Sequence, residues 1–127
     1  LDANGAVSTQ PVAQVNVDPL NDPNSPLAKR SIYFDFDSYS VKDYQLLQQH
    51  QYLKSHPQRH VLIQGNTDER GTSEYNLALG QKRAEAVRRL LGVDSQMEAV
   101  SLGKEKPATG HDESWAQNRR ADLVYQQ

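Results

Sequence analysis

Asp68 and Arg83 are the two charged residues whose types and spacing best suit ligand recognition. Asp68 lies in the polar segment 65–71, and Arg83 lies well inside the helix predicted to follow it. A carboxylate accepts hydrogen bonds from an ammonium group, and a guanidinium grips a carboxylate through two parallel hydrogen bonds. An Asp and an Arg separated by a ligand-sized gap therefore complement a zwitterion such as an amino-acid end group. Spacing alone also leaves open an ordinary surface ion pair between the two.

Other chemistries find less support in the pattern. Asp35 and Asp37 could form a carboxylate pair for glycoside hydrolysis, but residues two apart in a strand point the same way and normally only one is placed for chemistry. His56 and His60 stand four apart like a helical zinc pair, yet Pro57 interrupts the turn between them. The chain has no cysteine, so thiolate nucleophiles and zinc-cysteine sites are excluded. The sequence thus predicts no catalytic residue, metal or cofactor.

The composition predicts one soluble domain. The chain has 127 residues, 36% hydrophobic and 24% charged, and no apolar run approaches the roughly 20 residues of a membrane-spanning helix. The formal net charge of -2 gives no general attraction to nucleic acid or anionic lipid, so recognition through charge must be local. Arg119 and Arg120 could rim such a site, although the sequence slightly favours a solvated basic turn.

The chain is predicted to divide into a linker and a folded domain. Residues 1–28 are rich in Pro, Asn, Asp, Gln and Ser, and prolines interrupt every possible helix. This composition buries too little apolar surface to offset the entropy of ordering, so the segment is predicted to be a flexible linker. The domain is predicted to occupy residues 29–127.

Within the domain, apolar patterns predict strands that alternate with helices. The predicted strands are 32–36, 61–63, 97–102 and 121–125, and the predicted helices are 41–56 and 73–91. Thr72 or Ser73 can cap the second helix, and Gly92 is expected to end it. Its predicted buried stripe is Leu77, Gly80, Ala84, Val87 and Leu91. This order predicts an α/β protein of two layers, with helices on one face of a sheet.

The segment 65–84 closely resembles the signature of the OmpA-like C-terminal domain family. That signature has the form T-D-x-x-G-x-x-x-x-N-x-x-L-x-x-x-R-A, and the matching residues are Thr67, Asp68, Gly71, Asn76, Leu79, Arg83 and Ala84. Three further segments extend the similarity, toward the lipoproteins of this family, over about residues 31–125. They are 33–37, 103–107 with 110–113, and 118–120.

The resemblance implies a fold and a binding site. The implied fold is α+β, a mixed sheet of about four strands with helices packed on one face. The implied site is a groove that binds the peptide stem of peptidoglycan at diaminopimelate. By motif position, Asp68 and Arg83 are similar to the residues that hold the ammonium and the carboxylate of the ligand. Five more residues are similar to positions that line or brace the groove: Phe36, Asp37, Thr67, Asn76 and Leu79.

The resemblance also implies partners and a location. It implies a non-enzymatic anchor on the periplasmic face of the outer membrane, attached through an N-terminal lipidated cysteine that this sequence does not contain. The length of the linker would then set the distance over which the domain reaches the wall. The resemblance further suggests binding to the periplasmic protein TolB through the same face. As an alternative hypothesis, TolB binding is the main task and wall binding is secondary.

Overall fold

The computed structural model describes residues 18–41, 46–105 and 115–126. The strands in this part of the chain are β1 (Ser31–Tyr33), β2 (His60–Asn66), β3 (Met97–Gly103) and β4 (Arg120–Gln126). The α-helices are α1 (Leu47–Ser55), α2 (Ser73–Leu91) and α3 (Trp115–Asn118). Short 3₁₀ helices lie at Pro19–Asn21, Pro26–Ala28 and Asp94–Gln96.

The strands form one mixed sheet in the order β1-β4-β2-β3. Strand β4 is antiparallel to both β1 and β2, whereas β2 and β3 are parallel. A parallel pair needs a long crossover connection, and α2 supplies it. The four-stranded mixed sheet with its helices confirms the predicted fold class.

Helices α1 and α2 pack on one face of the sheet, where the hydrophobic core lies. Alternate residues of the strands point to this face, since successive side chains of a strand point to opposite sides. The buried core consists of Ile32, Phe34, Leu46, Leu53, Val61, Ile63, Ala84, Val87, Leu91, Met97, Ala121 and Leu123. Burying a side chain of this kind contributes about 1.5–3 kcal/mol relative to leaving it exposed, so the core holds α2 firmly against the sheet.

Helix α2 approaches the sheet most closely where two glycines meet. A Cβ atom on Gly65 would lie 1.7 Å from the carbonyl oxygen of Gly80, and one on Gly80 would lie 2.3 Å from Ser101 Oγ. Both distances are far below van der Waals contact, so a side chain at either position would push the helix away. The glycine contact therefore places the N-terminal half of α2 directly over the end of β2.

The ends of α2 agree with the prediction, but its buried face differs. The Thr72 side chain accepts a hydrogen bond from the Tyr75 N–H at 3.1 Å, and Gly92 ends the helix with φ of 69°. Leu77, which the periodicity assigned to the core, is 52% exposed. The buried residues in the first three turns of the helix include the polar Asn76 and Arg83, because this part of α2 lines a cavity rather than the core.

Two strands have limits that differ from the prediction. Strand β1 ends at Tyr33 rather than at residue 36, and Asp37 adopts the left-handed backbone conformation with φ of 55°. Strand β2 continues through Gly65 and Asn66, which the polar sequence had assigned to a loop. The reason is pairing on both sides, since Gly65 lies opposite Ser101 of β3 and also opposite β4.

Residues 18–28, which the sequence analysis placed in the flexible linker, pack against the domain. Leu20 and Leu27 are buried and cluster with Tyr52 of α1. The prolines that exclude an α-helix here are compatible with the 3₁₀ turns, because proline suits the first position of a helical turn. The rest of the predicted linker, residues 1–17, lies outside the described residues, as do 42–45 of the first predicted helix.

Candidate functional site

A cavity of about 200 Å³ lies at the end of β2, beside the N-terminal half of α2. Three segments line it, namely the loop after β1, the loop after β2 and the first three turns of α2. The lining residues are Phe36, Asp37, Thr67, Asp68, Arg70, Gly71, Tyr75, Asn76, Leu79 and Arg83. All the site residues that the motif pointed to are therefore brought together in one place.

Asp68 is buried, and its carboxylate has two cationic partners, Arg70 and Arg119. Its Oδ1 accepts from the backbone N–H of Arg70 at 3.1 Å and from Arg70 Nε at 3.2 Å. Its Oδ2 accepts from Arg70 Nη2 at 2.6 Å and from Arg119 Nη1 at 3.5 Å. Burial by itself would raise the pKa of Asp68, but the hydrogen bonds and charge of Arg70 together bring that pKa below its ordinary value. Asp68 is thus an anion at neutral pH.

Arg83 is completely buried and donates to three backbone carbonyls. Its Nε donates to Ser38 O at 2.8 Å, its Nη1 to Asn66 O at 2.9 Å, and its Nη2 to Asp35 O at 3.1 Å. Burial lowers the pKa of Arg83 to about 10, which still leaves the side chain charged at neutral pH. A guanidinium has five N–H donors, so one hydrogen on each terminal nitrogen remains beyond these three bonds.

Asp68 and Arg83 face the same cavity but use different partners. Asp68 pairs with Arg70 and Arg119, whereas Arg83 binds carbonyls. The negative charge of Asp68 nevertheless raises the pKa of Arg83 and so offsets part of the effect of burial. The exposed ion pair that spacing had left open is therefore not the arrangement found. Two opposite charges instead line one cavity, each held by other groups.

Arg70 is the principal cavity residue that the sequence did not reveal. Its guanidinium carbon lies 4.0 Å from the ring centroid of Phe36 and 3.8 Å from that of Trp115, distances typical of cation–π contacts. Arg70 occupies a variable position of the motif, so the motif carried no signal for it. The available clue was its separation of two residues from Asp68, which suits an Asx turn at a helix entry.

Arg119, for which the sequence slightly favoured a solvated turn, also belongs to the site. Besides reaching Asp68, it donates from Nε to Phe34 O at 3.0 Å. This bond ties the chain just before β4 to the end of β1. Arg119 therefore rims the site, and the three-dimensional packing of the two strand ends brings it there.

Thr67 and Asn76 hold the loop after β2 in shape. The Thr67 N–H donates to Gly103 O at 2.9 Å, and its hydroxyl donates to Asp68 O at 3.0 Å. Asn76 Nδ2 donates to Arg70 O at 2.9 Å. Buried polar groups that are hydrogen-bonded in this way make a loop rigid. These two residues thus orient Asp68 and Arg70 relative to α2.

The alternative chemistries are not assembled at this cavity. Asp37 lines it, but Asp35 does not line it. His56 stacks on Tyr52 with ring centroids 4.1 Å apart. Within residues 18–41, 46–105 and 115–126, no group of three or more His, Asp and Glu side chains could hold a metal ion. In the same ranges no helix has the length and apolar character needed to cross a membrane.

This chain belongs to the OmpA family, whose model matches residues 33–121 and so includes every residue that lines the cavity. It is similar to the peptidoglycan-associated lipoprotein of Haemophilus influenzae, with 52% identity over 104 residues that cover 75% of this chain and 68% of that protein. It is also similar to the peptidoglycan-associated lipoprotein of Pseudomonas aeruginosa, with 51% identity over 113 residues, or 82% of this chain and 67% of that protein.

Solved structures show the same fold. The crystal structure of the peptidoglycan-associated lipoprotein from Burkholderia pseudomallei is 81% identical, with a TM-score of 0.80 over 86% of this chain and 100% of that chain. The OmpA-like domain of FopA1 from Francisella tularensis has a TM-score of 0.68 at 19% identity, over 86% of this chain and 92% of that chain. At such low identity the second likeness concerns the fold alone.

Proposed function

We propose that this chain is a non-enzymatic domain that binds the peptide stem of peptidoglycan at diaminopimelate. The observation that carries the proposal is the cavity with Asp68 and Arg83 among its lining residues. The free end of a diaminopimelate side chain is a zwitterion, and its two charges match these two residues in sign. The name of the relatives, peptidoglycan-associated lipoprotein, agrees with a ligand from the wall.

In the proposed complex each charged residue has a distinct task. The ligand ammonium donates to the carboxylate of Asp68, and the ligand carboxylate accepts the remaining hydrogens of the Arg83 terminal nitrogens. Both contacts form in a partly enclosed cavity, where charge-assisted hydrogen bonds are stronger than in water. Leu79 and Phe36 contact the aliphatic chain between the two charges. Thr67 and Asn76 keep the loop in position.

On this proposal the domain works on the periplasmic face of the outer membrane and ties that membrane to the wall. A lipid anchor outside this sequence would hold it there, as the lipoprotein name of the relatives suggests. Binding at the domain and anchoring at the membrane then together span the periplasm, within the Tol-Pal system. Because the contact to the wall is non-covalent, it can form and break as the envelope grows.

Calorimetric titration with a diaminopimelate-containing muropeptide tests the proposal. The substitution Asp68→Asn keeps the shape of the side chain and removes its charge, so we expect affinity to fall by about 10- to 100-fold, the loss for one charge-assisted hydrogen bond. Asp94→Asn is the matched control, because Asp94 is exposed and lies beyond the other end of α2. Unchanged affinity in Asp68→Asn would show that the ligand binds elsewhere.

A second candidate function is protein recognition through the same face, with TolB as the partner. It is favoured by three large aromatic side chains on or beside the cavity that are about half exposed, Phe36 at 59%, Tyr39 at 49% and Tyr75 at 48%. Aromatic residues are enriched at protein interfaces. If one face serves both ligands, muropeptide and TolB should exclude each other in a competition experiment. A ternary complex would instead require two separate faces.

A further inference from the structure

A second groove adjoins the cavity along α2. Its volume is about 270 Å³, and its lining residues are Tyr39, Ser40, Val41, Ala86, Arg89 and Leu90. The loop after β1 contributes to both the cavity and the groove. Phe36 and Asp37 line the cavity, and Tyr39, Ser40 and Val41 line the groove. Arg83, Ala86 and Leu90 are separated by three and four positions, so they share one face of the helix. The groove therefore lies next to the cavity along the helix.

The distance between the cavity and the groove matches the length of a few peptide residues. With a rise of 1.5 Å per residue, Ala86 to Leu90 lie about 4.5–10 Å beyond Arg83 along the helix axis. One extended peptide residue spans at most about 3.6 Å. If one residue of a peptide binds at Arg83, the residues roughly one to three positions away from it would therefore lie over the groove.

The groove carries positive charge that the described part of the chain does not neutralise. Arg89 lines it, and Lys82 Nζ lies 5.6 Å from the ring centroid of Tyr39 at its edge. Both cations are exposed, and neither forms an ion pair with a described residue. By contrast Arg88, on another side of the helix, pairs with Glu85 at 3.1 Å. Two cations that have no ion pair among the described residues, beside an aromatic ring and aliphatic side chains, fit an acidic peptide.

We propose that this groove is a second subsite for the same stem peptide and binds the carboxylate of a residue next to the diaminopimelate. The inference rests on the proposed function and adds to it a preference for a free carboxylate outside the cavity. Lys82 and Arg89 face that carboxylate, while Val41, Ala86 and Leu90 contact the aliphatic part of the peptide. A ligand that fills both depressions gains affinity because its two parts bind as one molecule.

Three ligands and two variants test the subsite. The ligands are free diaminopimelate, a stem peptide whose residue next to diaminopimelate has a free carboxylate, and the same peptide with that carboxylate amidated. The variants are the double substitution Lys82→Gln with Arg89→Gln, and the control Arg88→Gln. We expect the double variant to bind the free-carboxylate peptide about 3- to 10-fold more weakly, the range for exposed charge pairs. Its affinity for the other two ligands, and the affinities of Arg88→Gln, should equal those of the wild type.

The outcomes separate this inference from the proposed function. Equal affinity of wild type and double variant for the free-carboxylate peptide would overturn the subsite while leaving the cavity as the binding site. Failure of the wild type to bind any of the three ligands would overturn the proposed function and the subsite with it. A double variant that loses TolB binding but keeps full affinity for the peptide would identify the groove as a protein surface, and the subsite would also fall.

Discussion

The carboxylate of Asp68 accepts two hydrogen bonds from the guanidinium of Arg70, at 3.2 Å from Nε and 2.6 Å from Nη2. In the proposed complex a ligand ammonium therefore meets an aspartate that already has two cationic partners, Arg70 and Arg119. Two cations on one carboxylate repel each other, so binding has to shift Arg70 or share Asp68 with it. Because Arg70 also contacts the rings of Phe36 and Trp115, any shift is transmitted to these aromatic residues.

Tryptophan fluorescence should report ligand binding. Trp115 is the single tryptophan of the chain, and its ring centroid lies 3.8 Å from the guanidinium carbon of Arg70. We expect the emission to change with added muropeptide, with the same midpoint as the calorimetric titration. In Arg70→Met, which keeps a long side chain without the charge, most of this change should disappear. A full response in Arg70→Met would mean that the signal does not arise from displacement of Arg70.

The pKa of Asp68 should depend on Arg70. In the folded protein Asp68 has a pKa below its ordinary value, so its ionised form stabilises the fold at pH values above that ordinary value. This contribution is lost as the pH falls through the lowered pKa. In Arg70→Met the side-chain hydrogen bonds and charge of Arg70 that lower the pKa of Asp68 are removed, whereas the burial that raises it remains. The pKa of Asp68 should therefore rise. An NMR titration of the Asp68 carboxyl carbon measures both values, and identical midpoints would rule out Arg70 as the cause.

Replacement of Arg83 should destabilise the fold as well as the site. Arg83→Ala removes one donor from each of the carbonyls of Asp35, Ser38 and Asn66, and it empties a fully buried position. The Asp35 carbonyl keeps the Ser38 N–H as a donor at 3.1 Å. We expect the free energy of unfolding in urea to fall by about 2–4 kcal/mol. Arg83→Lys should recover only part of this loss, because one ammonium cannot reproduce the planar geometry of the guanidinium.

Arg88→Ala is the control for Arg83→Ala, because Arg88 forms a half-exposed ion pair with Glu85 on the same helix. Such pairs contribute about 0.5 kcal/mol or less. If both variants lost the same stability, the hydrogen bonds from Arg83 to the carbonyls would contribute nothing measurable to the free energy of unfolding. Because Arg83→Ala lowers stability, weaker ligand binding in that variant does not by itself show a direct contact. Asp68→Asn, which keeps the shape of the side chain, is the variant that tests the binding site.

The glycine contact between α2 and β2 should tolerate no side chain. In Gly65→Ala the new Cβ atom would meet the carbonyl oxygen of Gly80 at 1.7 Å, which only a movement of the helix can relieve. We expect a loss of more than about 3 kcal/mol, or failure to fold. The control is Gly92→Ala, where no atom lies within 4 Å but φ is 69°, so the cost should be about 1–2 kcal/mol. Thermal unfolding followed by circular dichroism distinguishes the two, and equal losses would contradict the contact.

Removal of residues 18–28 should weaken the domain. Leu20 and Leu27 are buried against Tyr52, and the carboxylate of Asp18 accepts from the Tyr52 hydroxyl at 3.3 Å and pairs with Arg59. A chain shortened to begin at Lys29 should lose about 2–4 kcal/mol of stability relative to one that begins at Asp18, from the two leucines alone. Equal urea midpoints for the two shortened chains would show that the segment only rests on the surface.

Most of the fold could be predicted because the signals that define it are local. The cap at Thr72 and the stop at Gly92 depend on residues within one turn of the helix end, so the sequence predicts them directly. The same holds for the apolar patterns that predicted β3 and β4. The apolar stripe between Thr72 and Gly92 was predicted correctly except for Leu77, which is exposed. The family resemblance indicated which residues lie together, and all the site residues that it indicated line the cavity. Local signals failed where pairing on both sides extended β2, and where Leu20 and Leu27 found a distant apolar surface.

The partners of the charged groups were decided by tertiary structure. Arg83 reaches Ser38, 45 positions away, and Arg119 reaches Asp68, 51 positions away. A buried ion takes whichever donors or acceptors the packed strand ends bring within about 3 Å, and sequence spacing contains no information about that meeting. The residue types and their order therefore indicated which groups could bind a zwitterion. The packing of α2 against β2 placed both charges at one cavity and gave each charge its own partners.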